Sequence, residues 1–270
     1  MTDAAGSFPY RLVATDLDGT LLRSDGSVSA RTREALAAAT AAGAAHIVVT
    51  GRGVRWTRHV LDELGYEGLA VCGQGAQVYD VGAHRLLTSI TLDRQLASLA
   101  LAKIEAEVGP LFLAASRAGL DGEVLVGPGY ESLGSLPFVP LTDSSDLWAE
   151  PLGKIYIQHP TLSTDELTEV ATRTAGGFVT VTMAGESIVE LLPLGLSKAK
   201  GLSLAARRLG VKAADTIAFG DMPNDIPMFT WAARGVAMAN AHAELRAVAD
   251  EVTSSNDEDG IAVVLERLLA

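Results

Sequence analysis

Ten residues near the start of the chain, RLVATDLDGT at positions 11–20, decide the fold. The first half, residues 11–15, is a short apolar run and predicts a buried strand. The second half places Asp16 and Asp18 directly after that strand, and Gly19 then allows the chain to turn. Open α/β sheets bind their ligands outside the carboxyl ends of the strands. The stretch therefore favours an α/β protein with a functional site at this edge of the sheet.

Strand and helix patterns alternate at both ends of the chain. The early part continues with a helix at residues 29–42, a strand at 46–50, a helix at 54–64 and a strand at 69–72. The late part has strands at 215–219 and 236–238 among helices at 197–209, 224–231, 243–248 and 260–269. Such alternation is typical of a parallel sheet that is covered by helices on both faces.

The middle of the chain has a different pattern. We predict a hairpin at residues 79–90 with its turn near Gly82, a helix at 92–108 and a helix at 163–174 that begins with a capping box of Ser163 and Glu166. Strand patterns occur at 111–115, 122–126, 154–158, 178–183 and 188–192. These elements predict an antiparallel sheet with helices on one face. We therefore predict a core domain of residues 1–81 and 192–270 and an inserted α+β domain of residues 82–191.

Composition excludes several classes of protein. Of the 270 residues, 48% are hydrophobic and 20% are charged, so the chain is able to bury a core and is not disordered. The net charge of −12 disfavours binding to nucleic acid or to an anionic membrane surface. The single cysteine, Cys72, cannot form an internal disulfide, and residues 1–9 lack the basic and apolar regions of a signal peptide. We expect a cytoplasmic protein without an obligate protein partner.

Asp16 and Asp18 are the first candidate site residues. Two residues apart on an extended segment, their carboxylates point to the same side, and such crowding is costly unless a cation neutralises it. Mg²⁺ takes oxygen ligands of this kind together with substrate phosphate. One carboxylate is then suited to attack phosphorus and the other to protonate the leaving oxygen. The alternative is a solvated turn, because Asp-Gly is a common turn dipeptide.

Two further strand ends carry groups that suit a phosphate. Thr50-Gly51-Arg52 offers a hydroxyl and backbone N–H groups at a helix start, although a helix cap and a glycine turn explain the same residues. Arg52 either faces a phosphate or pairs with a surface carboxylate. Lys198 lies in the first turn of a helix, where it opposes the helix dipole, so binding a phosphate and a carboxylate would account for it. The alternative is a tolerated surface lysine.

The late acidic loop, Gly220-Asp221-Met222-Pro223-Asn224-Asp225, follows the strand at 215–219. Asp221 and Asp225 are candidates to complete a cation site, with Asn224 as a polar orienting group. Asp225 is also explained as an acid that complements the dipole of its own helix. Each of the four signals is weak alone. Together they supply at one sheet edge the groups that a metal-assisted phosphoryl transfer needs.

These residues resemble the haloacid dehalogenase superfamily, and more narrowly its Cof-type, subfamily IIB sugar-phosphatase branch. The resemblance rests on four segments in order: residues 16–22, residues 49–52, Ser197-Lys198 and residues 220–225. It implies a Rossmann-like parallel core with an inserted α+β cap of the C2B type. It also implies Mg²⁺ as the cofactor, Asp16 as nucleophile and metal ligand, and Asp18 as general acid and base that binds the metal through its backbone carbonyl. The remaining implied roles are phosphate contacts for Thr50, Gly51, Lys198 and Asn224, and metal contacts for Asp221 and Asp225.

The chain departs from the family where Gly73-Gln74-Gly75 replaces a frequent Asn-Gly, so Gln74, like Arg52, is a candidate substrate contact. In the inserted domain, Arg117, Tyr130, Glu131 and Lys154 are candidates for specificity by position alone. The function implied is hydrolysis of small phosphorylated metabolites, sugar phosphates above all, through an aspartyl-phosphate. The alternatives are a phosphomutase or phosphotransferase with the same first step, and a non-catalytic binding module.

Overall fold

The computed structural model describes residues 8–131, 137–185 and 187–270, so most of the N-terminal segment considered above lies outside it. Its strands, numbered along the chain, are β1 (Leu12–Thr15), β2 (Ala45–Val49), β3 (Leu69–Cys72), β4 (Gln77–Asp80), β5 (Arg85–Ser89), β6 (Phe112–Arg117), β7 (Val124–Val126), β8 (Val139–Pro140), β9 (Leu152–Gln158), β10 (Thr180–Gly185), β11 (Ile188–Leu192), β12 (Thr216–Gly220), β13 (Arg234–Ala237) and β14 (Glu251–Val252). Its helices are α1 (Ala30–Ala41), α2 (Val54–Glu63), α3 (Arg94–Val108), α4 (Thr164–Ala175), α5 (Lys198–Arg208), α6 (Ile226–Trp231), α7 (Ala243–Val248) and α8 (Gly260–Leu269).

The larger sheet takes its strands from both ends of the chain. Its eight strands lie in the order β14-β13-β12-β1-β2-β3-β4-β5, and β1 pairs in parallel with β2 and with β12. The strand β1 is buried along its whole length, as a central parallel strand with helices on both faces must be. Residues of α1, α2 and α8 pack on one face, and residues of α5, α6 and α7 pack on the other. The predicted parallel core is confirmed.

The smaller sheet comes from the middle of the chain. Its six strands lie in the order β10-β11-β9-β6-β7-β8, and their pairing is antiparallel except between β7 and β8. Apolar residues of α3 and α4 cover one face. The predicted capping box at the start of α4 is present, since Ser163 accepts from the backbone of Glu166 and the Glu166 side chain accepts in return. The other face carries an apolar cluster that includes Tyr156 and Ile188, together with Lys154 and Glu190, which contact residues of the larger sheet and its loops.

The predicted boundary at residue 82 was placed too early. Strand β5 pairs antiparallel with β4, with Gln77 opposite Ser89, and therefore belongs to the larger sheet. The hairpin pattern was correct, but a hairpin gives no local signal for the sheet that its second strand joins. Pairing along the free edge of β4 satisfies the backbone groups of β5. The chain thus leaves the larger sheet only after Ser89.

None of the helices among the described residues combines the length and the apolar character needed to cross a membrane.

Candidate active site

A tight turn at the end of β1 brings two distant parts of the chain together. Gly19 has φ +72°, and a Cβ at this position would lie 2.3 Å from Oδ2 of Asp221, so only glycine permits this approach. Thr20 fixes the contact because its hydroxyl donates to Oδ1 of Asp221 at 3.0 Å. The turn therefore places Asp16, at the end of β1, beside the loop that follows β12.

Lys198 lies at the centre of the site. Its Nζ donates to Oδ1 of Asp16 at 2.6 Å and to Oδ1 of Asp225 at 2.7 Å, and its side chain is buried. The start of α5 is held close to the loop after β3, because a Cβ on Gly75 would lie 2.2 Å from the carbonyl oxygen of Ser197. This approach places a lysine in a first helical turn beside carboxylates, which offset its unfavourable interaction with the helix dipole.

Asp225 supports the loop that carries Asp221. Its Oδ2 accepts from the backbone N–H groups of Asp221 and Met222, both at 3.1 Å, while its Oδ1 holds Lys198. Both oxygens thus have partners within the protein. Asp225 thus positions both Lys198 and the loop of Asp221, and the metal contact implied for it stays a prediction, since its carboxylate also belongs to the acidic cluster described next.

The carboxylates of Asp16, Asp221 and Asp225 place oxygens within 4.8 Å of one another. Burial, reinforced by the neighbouring carboxylates and opposed by Lys198, raises the pKa of Asp16 well above its usual value. Burial and then Asp225 raise the pKa of Asp221 to about 7. Burial alone would lower the pKa of Lys198, but the charges of Asp16 and Asp225 outweigh it and raise that pKa.

A divalent cation fits this cluster. Three carboxylates face one ammonium, which leaves two negative charges without a counter-charge in a buried place. An all-oxygen donor set suits a hard cation such as Mg²⁺. The pKa values of Asp16 and Asp221 are raised first by burial and then by the neighbouring carboxylates, and a bound cation would oppose both effects.

Asp18 and Arg52 form an ion pair beside this cluster. Arg52 donates through Nε to Oδ2 of Asp18 at 2.8 Å and through Nη2 to Oδ1 at 2.5 Å. The Asp18 carboxylate is 54% exposed and does not belong to the group of three buried carboxylates. Of the two interpretations of Arg52, the structure shows carboxylate pairing. The metal contact implied for Asp18 is through its backbone carbonyl and stays a prediction.

Thr50 and Gly51 directly follow the end of β2. The Thr50 hydroxyl accepts from the backbone N–H of Arg52 at 3.1 Å, which shapes the turn into α2. The carbonyl oxygen of Gly51 accepts from Nζ of Lys154, a residue of the smaller sheet, at 2.8 Å. Gly51 therefore contacts the inserted domain as well as the edge of the site.

Gln74 and Asn224 connect the site to the smaller sheet. Gln74 adopts a left-handed backbone with φ 59°, and its Nε2 donates to Oε2 of Glu190 at 2.7 Å. Asn224 donates through Nδ2 to Oε1 of Gln74 at 3.2 Å, and its own Oδ1 is buried without a hydrogen-bond partner. Sequence reasoning did not identify Glu190. The available signal was a carboxylate in the otherwise apolar strand Ile188–Leu192, a continuous apolar run typical of a buried strand.

One cavity of about 470 Å³ lies between the two sheets. The candidate residues that line it are Asp16, Asp18, Gly51, Arg52, Gln74, Lys154, Lys198 and Asn224, and the smaller sheet also contributes Tyr156 and Glu190. The candidates outside this lining are Thr50, Arg117, Tyr130, Glu131, Asp221 and Asp225. The cavity is large enough for a small metabolite. Asp16, Asp18, Arg52 and Lys198 thus line one space, and Asp221 and Asp225 lie beside Asp16 and Lys198 without lining it.

Comparisons with known proteins agree with this arrangement. A family model described as haloacid dehalogenase-like hydrolase matches residues 13–265. The Bacillus subtilis protein YwtE, named a 5-amino-6-(5-phospho-D-ribitylamino)uracil phosphatase, is 29% identical over 96% of this chain and 98% of its own length. Phosphatase YwpJ of the same organism is 28% identical over 96% of this chain and its whole length.

Solved structures share the complete fold. A haloacid dehalogenase-like hydrolase from B. subtilis superposes with a TM-score of 0.81 at 25% identity, over 96% of this chain and 99% of its own. The haloacid dehalogenase subclass IIB sugar phosphatase BT4131 superposes with a TM-score of 0.78 at 23% identity, over 95% of this chain and 98% of its own. The similarity therefore includes the inserted domain as well as the parallel core.

Proposed function

The chain belongs to the haloacid dehalogenase-like hydrolases, and from that premise we propose that it is a Mg²⁺-dependent phosphatase of small phosphorylated metabolites, sugar phosphates above all. The observation that carries the proposal is the buried ammonium of Lys198, held between Asp16 and Asp225 beside Asp221. An anionic substrate has to approach carboxylates here. Lys198 and a cation bound by Asp16 and Asp221 would offset that repulsion.

The first chemical step belongs to Asp16. Its carboxylate oxygen attacks phosphorus in line, the new O–P bond forms, and the bond from phosphorus to the leaving oxygen breaks. Asp18 donates its proton to that oxygen, so the product leaves as an alcohol. The resulting intermediate is an aspartyl-phosphate. Lys198 holds the Asp16 carboxylate in position and contributes positive charge next to the phosphoryl group.

The second step regenerates the enzyme. Asp18, now a carboxylate, takes a proton from water, and the water oxygen attacks phosphorus. The O–P bond to Asp16 breaks, which releases inorganic phosphate. Asp18 must exchange its contact with Arg52 for a contact with the leaving group or water, so its exposed position at the cavity is essential. Bound Mg²⁺ would neutralise charge on the phosphate oxygens throughout.

Two relatives support a small phosphorylated substrate. YwtE is named for its action on a phosphorylated ribityl compound, and BT4131 is described as a sugar phosphatase. We propose the same class for this chain, in agreement with its cavity and with its net charge of −12, which disfavours nucleic acid.

Trapping of the intermediate tests the proposal. Beryllium fluoride occupies the place of a phosphoryl group on a carboxylate, so with Mg²⁺ we expect an adduct on Asp16, detectable by crystallography or ¹⁹F NMR. Asp16→Asn should abolish both the adduct and phosphate release. Turnover retained by Asp16→Asn would overturn the assignment. Isomer formation without phosphate release would instead identify a phosphomutase, and no turnover on any phosphomonoester would indicate a binding module.

A further inference from the structure

A buried ion pair in the smaller sheet has no part in the chemical steps above. Lys154 in β9 and Glu190 in β11 are 3% and 2% exposed, and Nζ of Lys154 contacts Oε1 of Glu190. Both residues line the cavity. Each also reaches the larger sheet, Lys154 through the carbonyl oxygen of Gly51 at 2.8 Å and Glu190 through Nε2 of Gln74 at 2.7 Å.

Stability alone does not account for this pair. Removing two charges from water carries a large desolvation cost, and apolar residues of similar volume often stabilise a fold as well or better. Tyr156 and Ile188 on the same face show that the sheet accepts large apolar groups there. The position of the pair on the cavity wall indicates a role toward a bound molecule.

The pair combines a donor and an acceptor with no net charge. Beyond its contacts with Glu190 and Gly51 the Lys154 ammonium has one further hydrogen, and the Glu190 carboxylate has further lone pairs, so neighbouring hydroxyl groups, which both donate and accept, match the two side by side. Nζ of Lys154 lies 4.6 Å from the centre of the Tyr156 ring, which gives an apolar surface next to the polar pair. The buried Oδ1 of Asn224, which lacks a partner, is a further acceptor at the cavity.

The charged residues around the cavity also limit which charged groups the leaving group can contain. Among the lining residues that the structure describes, the lysines and the arginine are all paired with carboxylates: Arg52 with Asp18, Lys154 with Glu190, and Lys198 with Asp16 and Asp225. The substrate phosphate would interact with Lys198 and with the bound divalent cation. A second anionic group would find a free arginine only where Asp18 has released Arg52, and it would face the carboxylate of Glu190.

We propose that Lys154 and Glu190 determine substrate specificity by binding adjacent hydroxyls of an uncharged polyol leaving group and by disfavouring leaving groups with a second anionic group. This inference rests on the proposed phosphatase function. The inference assigns the substrate specificity of the site to the ion pair of Lys154 and Glu190 in the inserted domain. Gln74 links this pair to Asn224 in the loop after β12.

The experiment compares three phosphomonoesters with Mg²⁺. Sorbitol 6-phosphate and gluconate 6-phosphate differ by one terminal carboxylate, and p-nitrophenyl phosphate lacks hydroxyls on its leaving group. We expect kcat/KM of the native protein to be about tenfold or more higher for sorbitol 6-phosphate than for gluconate 6-phosphate. Glu190→Gln should lower the ratio of kcat/KM for sorbitol 6-phosphate to that for p-nitrophenyl phosphate by about tenfold or more. It should also reduce the discrimination against gluconate 6-phosphate.

Two further variants test whether a change in the kcat/KM ratio comes from unfolding or from a lost substrate contact. Lys154→Arg keeps the charge pair but changes the donor geometry, so it should fold and still lower the same ratio. Glu107→Gln breaks an exposed ion pair with Arg173 in the same domain and should leave all three substrates unaffected. Thermal unfolding of each variant confirms that a folded protein is compared.

Unchanged ratios in folded Glu190→Gln and Lys154→Arg would overturn the inference, as would a native preference for gluconate 6-phosphate. Failure of the proposed function has a different signature, because then none of the three esters releases phosphate. Calorimetric titration of sorbitol 6-phosphate separates the two cases. Glu190-dependent binding without turnover supports the specificity role, and binding that is insensitive to Glu190→Gln refutes it.

Discussion

Nζ of Lys198 lies 2.6 Å from Oδ1 of Asp16, a buried contact between residues that are 182 positions apart in the chain. The contact joins the end of β1 to the start of α5 across the face of the larger sheet. The contact requires the start of α5 to lie very close to the loop after β3, and this approach is possible because residue 75 is a glycine. The proposed nucleophile and the ammonium that holds it thus come from separate halves of the core, with the inserted domain between them in sequence.

Lys198→Met should abolish activity and destabilise the protein. The variant leaves Asp16 and Asp225 as buried carboxylates without their counter-charge, at an expected cost of about 3–5 kcal/mol. Urea unfolding measures the loss, and phosphate release measures activity. Lys200→Met, at an exposed position of the same helix, should change the free energy of unfolding by about 0.5 kcal/mol or less. Equal effects of the two substitutions would refute the special role of Lys198.

Gly19→Ala should lower kcat by more than the backbone strain at this position alone would explain. The added Cβ would lie 2.3 Å from Oδ2 of Asp221, and φ at Gly19 is +72°. We expect a stability loss of about 1–3 kcal/mol and a fall in kcat of about tenfold or more, because Asp221 must move. Gly26→Ala is the matched control, since φ there is +81° but no atom lies within 4 Å of the added Cβ. It should lose stability but keep kcat.

Stability without metal should decrease as pH rises toward neutrality. Burial and Asp225 raise the pKa of Asp221 from 3.8 to about 7, so the folded protein retains a proton that the unfolded chain releases near pH 4. Between these values the folded state binds more protons, and its stability falls as pH rises. The raised pKa of Asp16 acts in the same direction.

Mg²⁺ should reverse this trend, because it binds the ionised carboxylates. Calorimetry should show a larger increase in Tm with saturating Mg²⁺ at about pH 8 than at about pH 5.5. Asp221→Asn should remove much of the metal effect and reduce the pH dependence of the metal-free protein. A Tm increase that does not depend on pH or on Asp221 would count against a metal site here.

Gln74→Asn should weaken substrate binding without unfolding the protein. Asparagine tolerates the left-handed backbone found at Gln74, where φ is 59°, but its shorter side chain loses the contact with Glu190. We expect KM for sorbitol 6-phosphate to rise by about threefold to tenfold, with Tm lowered by about 2–6 °C because a buried carboxylate loses one hydrogen bond. Steady-state kinetics and thermal unfolding measure both quantities. An unchanged KM would show that this bridge does not hold the cap in its binding position.

Local sequence patterns determined much of the architecture. The apolar run before Asp16 predicted a strand, and the alternation at both ends predicted a parallel core that the structure confirms. The resemblance of the four motifs to the haloacid dehalogenase superfamily is confirmed by the family match over residues 13–265. These features are readable because hydrophobic period, glycine turns and capping residues act over a few neighbouring positions.

The tertiary structure decided what depends on distant partners. Only the fold showed that β5 joins the larger sheet, that Arg52 contacts Asp18, and that both oxygens of Asp225 have partners within the protein. It alone revealed Glu190 as a buried charge that meets Lys154 and Gln74. Strand pairing and the burial of charge depend on groups that are far apart in the chain. The residues next to a buried charge in sequence therefore do not show which distant group will neutralise it.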